Sequence, residues 1–446
     1  MRRRTNLLSY CILSNFFWIK LCYHSFMIVR EAKLKHGTAE QYSAIDEAIR
    51  TAQFIRNKAV RYWMDNQCTN KADLYSICKD LAKEFGFAKK LNSAARQASA
   101  ERAWAAISSF SARCKKGVGK KGFPRFKKHC RSVEYKVSGW KLSDDCKSIA
   151  FTDGFEIGTL SIFCNNETQA DLHRLKINRV RIVRRADGYY AQFCFDADRQ
   201  EQGEYSGNVV GLDLGLKFFT KDQTDNTVIY PQFLRKAEKQ LKKTQRRLSK
   251  KFVKGAKPLL GGEPSGRVTR PVAQQSNNYH KVRKRLGRVH LKIQRQRKDW
   301  AIKQARNVVM SNDVVVYENL QIANMVKNHH LAKSISDAGW YQYSQWLDYY
   351  GKIWDKAVVA VSPNYTSQDC SNCGHRVKKS LSTRTHSCPN CKIEICRDTN
   401  AALNILHKGL NILGVEWNKH STSGQEGSAS ENEGKRGERC TSTVDE

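Results

Sequence analysis

The chain has 446 residues, and its 78 Lys and Arg against 42 Asp and Glu give a formal net charge of +36. This length predicts about two or three domains, and the charge argues against an ordinary small-molecule enzyme and for a polyanionic partner. Apolar residues make up 40% of the chain, which excludes a disordered basic tail. The 15 cysteines show no disulfide-like pattern, but four form two C-x-x-C pairs, which indicates a reducing cytoplasmic setting and a metal site.

The first 26 residues combine the basic start MRRR with a short apolar run over 7–19, as signal peptides do. The run is short for a membrane span, and no small-residue cleavage site follows it. Residues from Met27 onward alternate like an opening strand. We therefore expect residues 1–26 to be a disordered upstream extension, with a membrane anchor as the alternative.

The following region predicts a small β-barrel interrupted by helices. A strand over 27–36 precedes helical patterns over 38–64 and 71–113. Residues 111–130 carry eight basic residues and no acid, with two phenylalanines among them, and predict a loop that lies against phosphates or a merely solvated basic loop. Strand patterns follow at 133–137, 157–163, 179–183 and 189–195, separated by Asp-Gly and Asn-Asn turns.

A second region begins with a predicted buried strand at 208–214, which has hairpin partners at 218–220 and 228–230. Two long helices follow, and their apolar stripes predict an antiparallel pair. Residues 234–254 hold ten Lys or Arg against one Glu, and residues 281–298 hold nine and no acid. Two helix faces with such an excess of positive charge indicate a surface that binds nucleic acid, rather than faces that contact only solvent. The Pro- and Gly-rich linker 255–276 and the tail 416–446 are predicted to be a flexible loop and a disordered segment.

The cysteine pairs give the sharpest local signal. Cys370 and Cys373 form one C-x-x-C pair, and Cys388 and Cys391 form the second. Each pair predicts a tight turn that directs two thiolates at one point, and two such turns make a closed tetrahedral zinc site. Because no coordination position stays open, the predicted role of this zinc ion is structural.

Three acidic residues form the second group of candidate functional residues. Asp213 lies in an apolar strand, Glu318 ends the predicted strand over 314–317, and Asp398 precedes a predicted helix over 400–413. Each has a plain alternative: a structural buried acid, a solvent-facing strand end and a helix N-cap. Together with a helix at 338–354 and a strand at 357–361, they follow the element order of an RNase H-like fold. Three carboxylates at one sheet edge can hold two Mg²⁺ ions about 4 Å apart for phosphodiester hydrolysis.

Several motifs closely resemble the TnpB family of RNA-guided nucleases carried by insertion sequences. They are GLDLGLK at 211–217, YENL at 317–320, KSISDAGW at 333–340, YTSQDCSNCG at 365–374, CPNC at 388–391 and RDTNAALNIL at 397–406. The resemblance is strong over 205–413 and weaker from Met27. The linker 255–276 and Lys392, where the family pattern leads us to expect Gly, depart from it.

The resemblance implies an α/β protein with a wedge-type β-barrel (27–37 and 120–205) that carries an inserted helical recognition lobe (38–119). It further implies a RuvC-like nuclease domain of RNase H-like fold (206–365 and 392–415) with a zinc ribbon at 366–391. By motif, Asp213, Glu318 and Asp398 match the three RuvC acids. The implied activity is cleavage of double-stranded DNA chosen by a guide RNA from the end of the mobile element, with Mg²⁺ for catalysis and one structural Zn²⁺.

Four alternatives can be set beside this interpretation. A compact type V CRISPR effector shares the nuclease domain, and a nuclease-inactive binder on the same scaffold would not need all three acids. A strand-transfer transposase of the His-x-His type is disfavoured, since the sequence contains no His-x-His pair. An ATP-driven role is disfavoured because no G-x-x-x-x-G-K-[ST] loop occurs. Neither a membrane nor a small-molecule substrate is expected.

Overall fold

The computed structural model describes residues 27–66, 69–117, 122–198, 203–253, 275–380 and 382–415. The predicted extension 1–26, the predicted tail 416–446 and nearly all of the linker 255–276 lie outside these residues. Among the helices within them, none is both long enough and apolar enough to cross a membrane.

The N-terminal part is built on a seven-stranded, nearly closed β-barrel. Strand β1 lies at its centre and pairs antiparallel with β5 on one side and β7 on the other. The prediction of helices inserted after the first strand is therefore confirmed, although two short strands, β3 and β4, were not predicted. The strands, in the order β2-β6-β7-β1-β5-β4-β3, are β1 (Met27–Lys35), β2 (Ser132–Tyr135), β3 (Trp140–Leu142), β4 (Ser148–Phe151), β5 (Gly158–Phe163), β6 (Ile177–Arg185) and β7 (Gly188–Asp198).

The inserted helices differ from the prediction in their breaks. The first begins after Thr38, whose side chain and that of Gln41 form a capping box. The predicted helical stretch 71–113 is three helices, and the last runs to Lys116, so that the basic loop begins at Gly117 rather than at 111. The Asn-Asn pair at 165–166 does not make a turn between strands, because Asn165 caps a helix instead. These helices are α1 (Ala39–Asp65), α2 (Lys71–Glu84), α3 (Gly86–Lys90), α4 (Ser93–Lys116) and α5 (Asn166–Arg174).

The C-terminal part contains a three-stranded parallel sheet, β12-β11-β8. The predicted hairpin forms through the residues that directly follow β8: Asp213 exchanges both backbone hydrogen bonds with Lys221 of β9, at 2.9 and 3.0 Å, and β9 pairs with β10. The strands are β8 (Val209–Leu212), β9 (Thr220–Lys221), β10 (Thr227–Val228), β11 (Val314–Glu318), β12 (Ala357–Val361), β13 (Thr385–Ser387) and β14 (Glu394–Cys396).

Two basic helices run antiparallel beside this sheet, as predicted. The ring of Phe252, just after the first helix, lies 6.1 Å from that of Tyr279 in the first turn of the second. At the other end, Asp337 contacts Leu234 of the first helix and Arg297 of the second. The C-terminal helices are α6 (Phe233–Lys250), α7 (Asn277–Ser311), α8 (Ile322–Met325), α9 (Ala332–Ala338), α10 (Trp340–Ile353) and α11 (Arg397–Ile412).

Candidate active site and metal-binding cysteines

Two of the predicted acids lie side by side at one edge of the parallel sheet. Leu212 at the end of β8 pairs with Tyr317 of β11, so that the next residues along the two strands are Asp213 and Glu318. Parallel strands present their carboxyl ends at the same edge, which explains why residues far apart in the sequence meet. Glu318 is buried, so the interpretation of a solvent-facing strand end is wrong.

Helix α11 brings the third acid to this edge. It begins at Arg397, so that Asp398 lies in its first turn and is not the N-cap. The helix packs directly on β8 because Gly211 has no side chain: a Cβ atom there would lie 2.3 Å from the Ala402 carbonyl oxygen. Close packing of the helix on the strand therefore holds Asp398 near Asp213.

The other two carboxyl groups lie close enough to Asp213 to affect its protonation. Burial, followed by the charges of Glu318 and Asp398, raises the pKa of Asp213 well above its ordinary value. Burial also raises the pKa of Glu318, against a hydrogen bond from Thr366 and the charge of Lys408. A carboxyl group whose pKa is raised by burial and by neighbouring acids gains from a bound cation, and oxygen ligands suit a hard divalent ion.

The flanking polar side chains were not singled out from the sequence. The Thr366 hydroxyl donates to Glu318 Oε1 at 2.6 Å, and the Arg397 guanidinium donates to Asp398 Oδ1 at 3.0 and 3.1 Å. Lys221 Nζ lies 3.0 Å from Cys396 Sγ, beside the bridge to Asp213. Thr366 and Arg397 lie within the family motifs at 365–374 and 397–406, close to Asp369 and Asp398. Their membership of these motifs was the sequence signal that could have identified them as site residues.

The four predicted zinc ligands come together as one cluster. Their sulfur atoms all lie within 4.8 Å of one another, with Cys370–Cys391 and Cys373–Cys388 Sγ distances of 3.5 Å. In the part of the chain that the structure describes, no other group of three or more such side chains is as close. Hydrogen bonds from Asn390 and the His375 backbone lower the pKa of Cys373 to about 6, which favours the thiolate that binds metal. The donor set fits a structural zinc ion.

Two asparagines of α11 join this cluster to the carboxylate edge. Asn400 Oδ1 accepts from the Ser371 backbone N–H at 2.9 Å, and its amide donates to the Asp369 carbonyl at 2.8 Å. Asn404 donates to the carbonyls of Thr366 and Asp369. One helix therefore positions Asp398, the turn that carries Cys370, and the Thr366 that donates to Glu318.

The basic faces of α6 and α7 are open to solvent. All eight Lys and Arg of α6 are exposed, as are nearly all of those in the first two thirds of α7. Asp337, from the KSISDAGW motif, fixes the pair: its carboxylate accepts from the backbone N–H groups of Leu234 and Arg235, and from Arg297 at 2.9 Å. It thereby supplies the cap that α6 lacks in its own sequence.

Sequence comparisons identify similar proteins. A family model described as "Cas12f1-like, TNB domain" matches residues 340–405, and the OrfB_IS605 model, described as "Probable transposase", matches residues 265–329. A Streptomyces pristinaespiralis protein named "Putative RNA-guided DNA endonuclease" is 32% identical over 203 residues, which are 45% of this chain and 45% of that protein. An Escherichia coli K12 protein, "Putative RNA-guided DNA endonuclease InsQ", is 27% identical over 65% of this chain and 69% of its own length.

One solved structure has a similar fold. A chain of the cryo-EM structure of the Cas12f1-sgRNA-target DNA complex superposes with a TM-score of 0.51 at 14% identity, over 82% of this chain and 83% of its own. The predicted fold class, an α/β chain that joins a β-barrel to a nuclease-type sheet with a cysteine ribbon, is confirmed.

Proposed function

Because the chain belongs to the TnpB family, we propose that it is an RNA-guided DNA endonuclease of a mobile element. The observation that carries the proposal is the meeting of Asp213, Glu318 and Asp398 at one sheet edge, with the pKa of Asp213 raised by burial and by its two neighbours. Such a cluster is costly to bury and is explained by a function that uses its negative charge.

The catalytic roles follow from the positions of these side chains. We assign Asp213, Glu318 and Asp398 as ligands of two Mg²⁺ ions, which when bound supply an activated water and neutralise charge on the leaving oxygen. Thr366 orients Glu318 by its hydrogen bond, and Arg397 holds Asp398. Partial burial of the edge lowers the effective dielectric around these groups, which strengthens each of these interactions.

The nucleic-acid partners are assigned from charge. The exposed cations of α6 and α7 offer a continuous track for phosphates, and the net charge of +36 suits a guide RNA paired with target DNA. We propose that the guide derives from the element end, that the barrel and its helices (27–205) read the RNA–DNA duplex shape, and that the nuclease domain (206–365 and 392–415) cuts the DNA. The cysteine cluster at 366–391 then acts as a structural zinc ribbon, and free cysteines suit the cytoplasm.

One experiment tests the whole proposal. The chain is expressed with its flanking DNA, the co-purifying RNA is sequenced, and the complex is offered target DNA with Mg²⁺. We expect a defined RNA from the element end and Mg²⁺-dependent cuts in matched DNA only. Repeat-derived RNA would instead favour a compact CRISPR effector, to which the Cas12f1-like match also points. Bulk nucleic acid that washes off in salt, with no cleavage, would overturn the proposal.

A further inference from the structure

A cleft of about 580 Å³ opens between α1, α4 and the basic loop 122–130. The loop is fixed to α1 by two amide side chains one helical turn apart. Asn57 accepts from the Lys127 backbone N–H and donates to its carbonyl, both at 2.9 Å, and Gln53 accepts from the Cys130 N–H at 2.6 Å. The cleft is therefore formed before any ligand arrives.

The walls of the cleft are strongly basic and carry no acid. Their cationic residues are Arg56, Arg102, Arg113, Arg125 and Lys127. Where these side chains form hydrogen bonds they use neutral oxygens: Arg56 the Arg125 carbonyl, Arg102 the Ser132 carbonyl and hydroxyl, and Arg113 the Gly122 carbonyl. Among the described residues, none of the five has a carboxylate partner within ion-pair distance.

In the neighbouring barrel, by contrast, arginine side chains form ion pairs with a carboxylate. Arg179 and Arg181 share the buried carboxylate of Glu134, at 2.9 and 2.6 Å. Arg56 is only 6% exposed and has no such compensation. Burying a charge without an opposite charge is costly, and Arg102 close by adds to the cost for Arg56. An anion bound in the cleft would remove this cost.

An aromatic side chain completes the cleft. Phe123 packs its ring against Trp63 and Phe110, with centroid distances of 5.4 and 5.2 Å, yet remains 51% exposed. A rigid exposed ring beside cations is the usual platform for an unstacked base. The volume lies within the range of pockets that enclose ligands of nucleotide size.

We infer that this cleft binds one unpaired nucleotide of a nucleic-acid strand, with its phosphate among the arginines and its base on Phe123. The inference rests on the nucleic-acid binding of the proposed function, but it concerns elements other than the carboxylate edge. A duplex keeps its bases stacked and cannot place one on Phe123, so the site selects single-stranded nucleic acid.

Photo-crosslinking of the full-length protein tests the inference in buffer without Mg²⁺ and without a guide, so that loss of cleavage cannot obscure the result. The probes are oligothymidylate and oligouridylate of about twelve nucleotides, each with one 5-iodouracil, and the same DNA strand in a duplex. Mass spectrometry maps the adducts. We expect an adduct at Phe123 from single strands. An RNA-only adduct identifies a guide nucleotide, and a DNA-only adduct identifies a nucleotide of the target.

A double variant, Arg125→Ala with Lys127→Ala, should lower the Phe123 adduct about tenfold. Both side chains are exposed, and the loop bonds use backbone atoms, so the fold is retained. Lys79→Ala with Lys83→Ala removes two equally exposed charges from α2 and should change nothing. Adducts confined to other segments, equal yield from the duplex, or an unchanged Phe123 adduct in the cleft variant would overturn the inference.

Discussion

The two candidate metal sites of this chain are built in opposite ways. The four cysteines come from one short segment, and their sulfur atoms already lie within 4.8 Å of one another. The three carboxylates come from two strands and a helix that are distant in the sequence, and they repel each other. A local site depends on its own turns, whereas a site assembled by a sheet depends on the packing of the entire C-terminal part. Their responses to substitution should differ accordingly.

The largest expected effect is at the local site. Cys388→Ser removes one of four thiolates, and the zinc content should fall from one ion per chain to none, because structural zinc contributes about 10 kcal/mol or more to folding such a module. Metal analysis of the purified protein measures this change. Cys114→Ser, at a free cysteine on α4, is the control and should leave the zinc content unchanged. Full zinc retention in Cys388→Ser would contradict the four-cysteine assignment.

Asp213→Ala should abolish cleavage while nucleic-acid binding persists. Loss of one carboxylate removes several kcal/mol of transition-state stabilisation, which lowers the cleavage rate about a thousandfold or more. The basic faces of α6 and α7 are untouched, so gel-shift affinity for guide and target should stay the same. Asp80→Ala, an exposed acid on α2, serves as control. An Asp213→Ala protein that still cuts would rule out the assigned site.

Asn404→Ala probes the connection between the two sites. It removes the side-chain donor of the Thr366 carbonyl, at a cost of about 1–3 kcal/mol, whereas the Asp369 carbonyl keeps its bond from Asn400. Since Thr366 orients Glu318, the cleavage rate should fall about tenfold to a hundredfold. Asn411 is exposed in the last turn of the same helix, and Asn411→Ala should change neither the free energy of unfolding nor the cleavage rate. Equal rates for both variants would show that α11 does not couple the sites.

Asp213→Asn should stabilise the metal-free protein at neutral pH. The pKa of Asp213 is higher in the folded chain than in the unfolded chain, so ionisation of this group destabilises the fold. The stability of wild type is therefore fully present below the ordinary carboxyl pKa and falls as the pH rises above it. Thermal unfolding in buffer without Mg²⁺, with the zinc retained, should show a melting temperature a few degrees above wild type at pH 7, and no gain near pH 4. Mg²⁺ should stabilise wild type more than the variant. A lower melting temperature at pH 7 would contradict mutual repulsion.

The sequence predicted both sites through different kinds of information. Spacing alone indicates the cysteine cluster, because C-x-x-C turns are local. The carboxylates required the order of elements and the family resemblance, since no local pattern joins Asp213 to Asp398. The sequence did not predict the parallel register of β8 with β11, because strand pairing is decided by packing across the sheet. The cap that Asp337 supplies to α6 is equally non-local.

The smallest expected effect lies in the second cysteine turn, at the residue where the family pattern favours Gly. The first turn places Gly374 after its second cysteine with φ of 78°, and the second turn places Lys392 there with φ of 59°. Each donates its N–H to the first cysteine's carbonyl, at 2.9 and 3.0 Å. A side chain in this left-handed region costs about 1 kcal/mol, so Lys392→Gly should bind zinc about fivefold tighter in chelator competition. Lys378→Gly, at an exposed lysine with ordinary φ, should weaken binding or leave it unchanged. Tighter binding in the control alone would show that the strain at Lys392 does not limit the site.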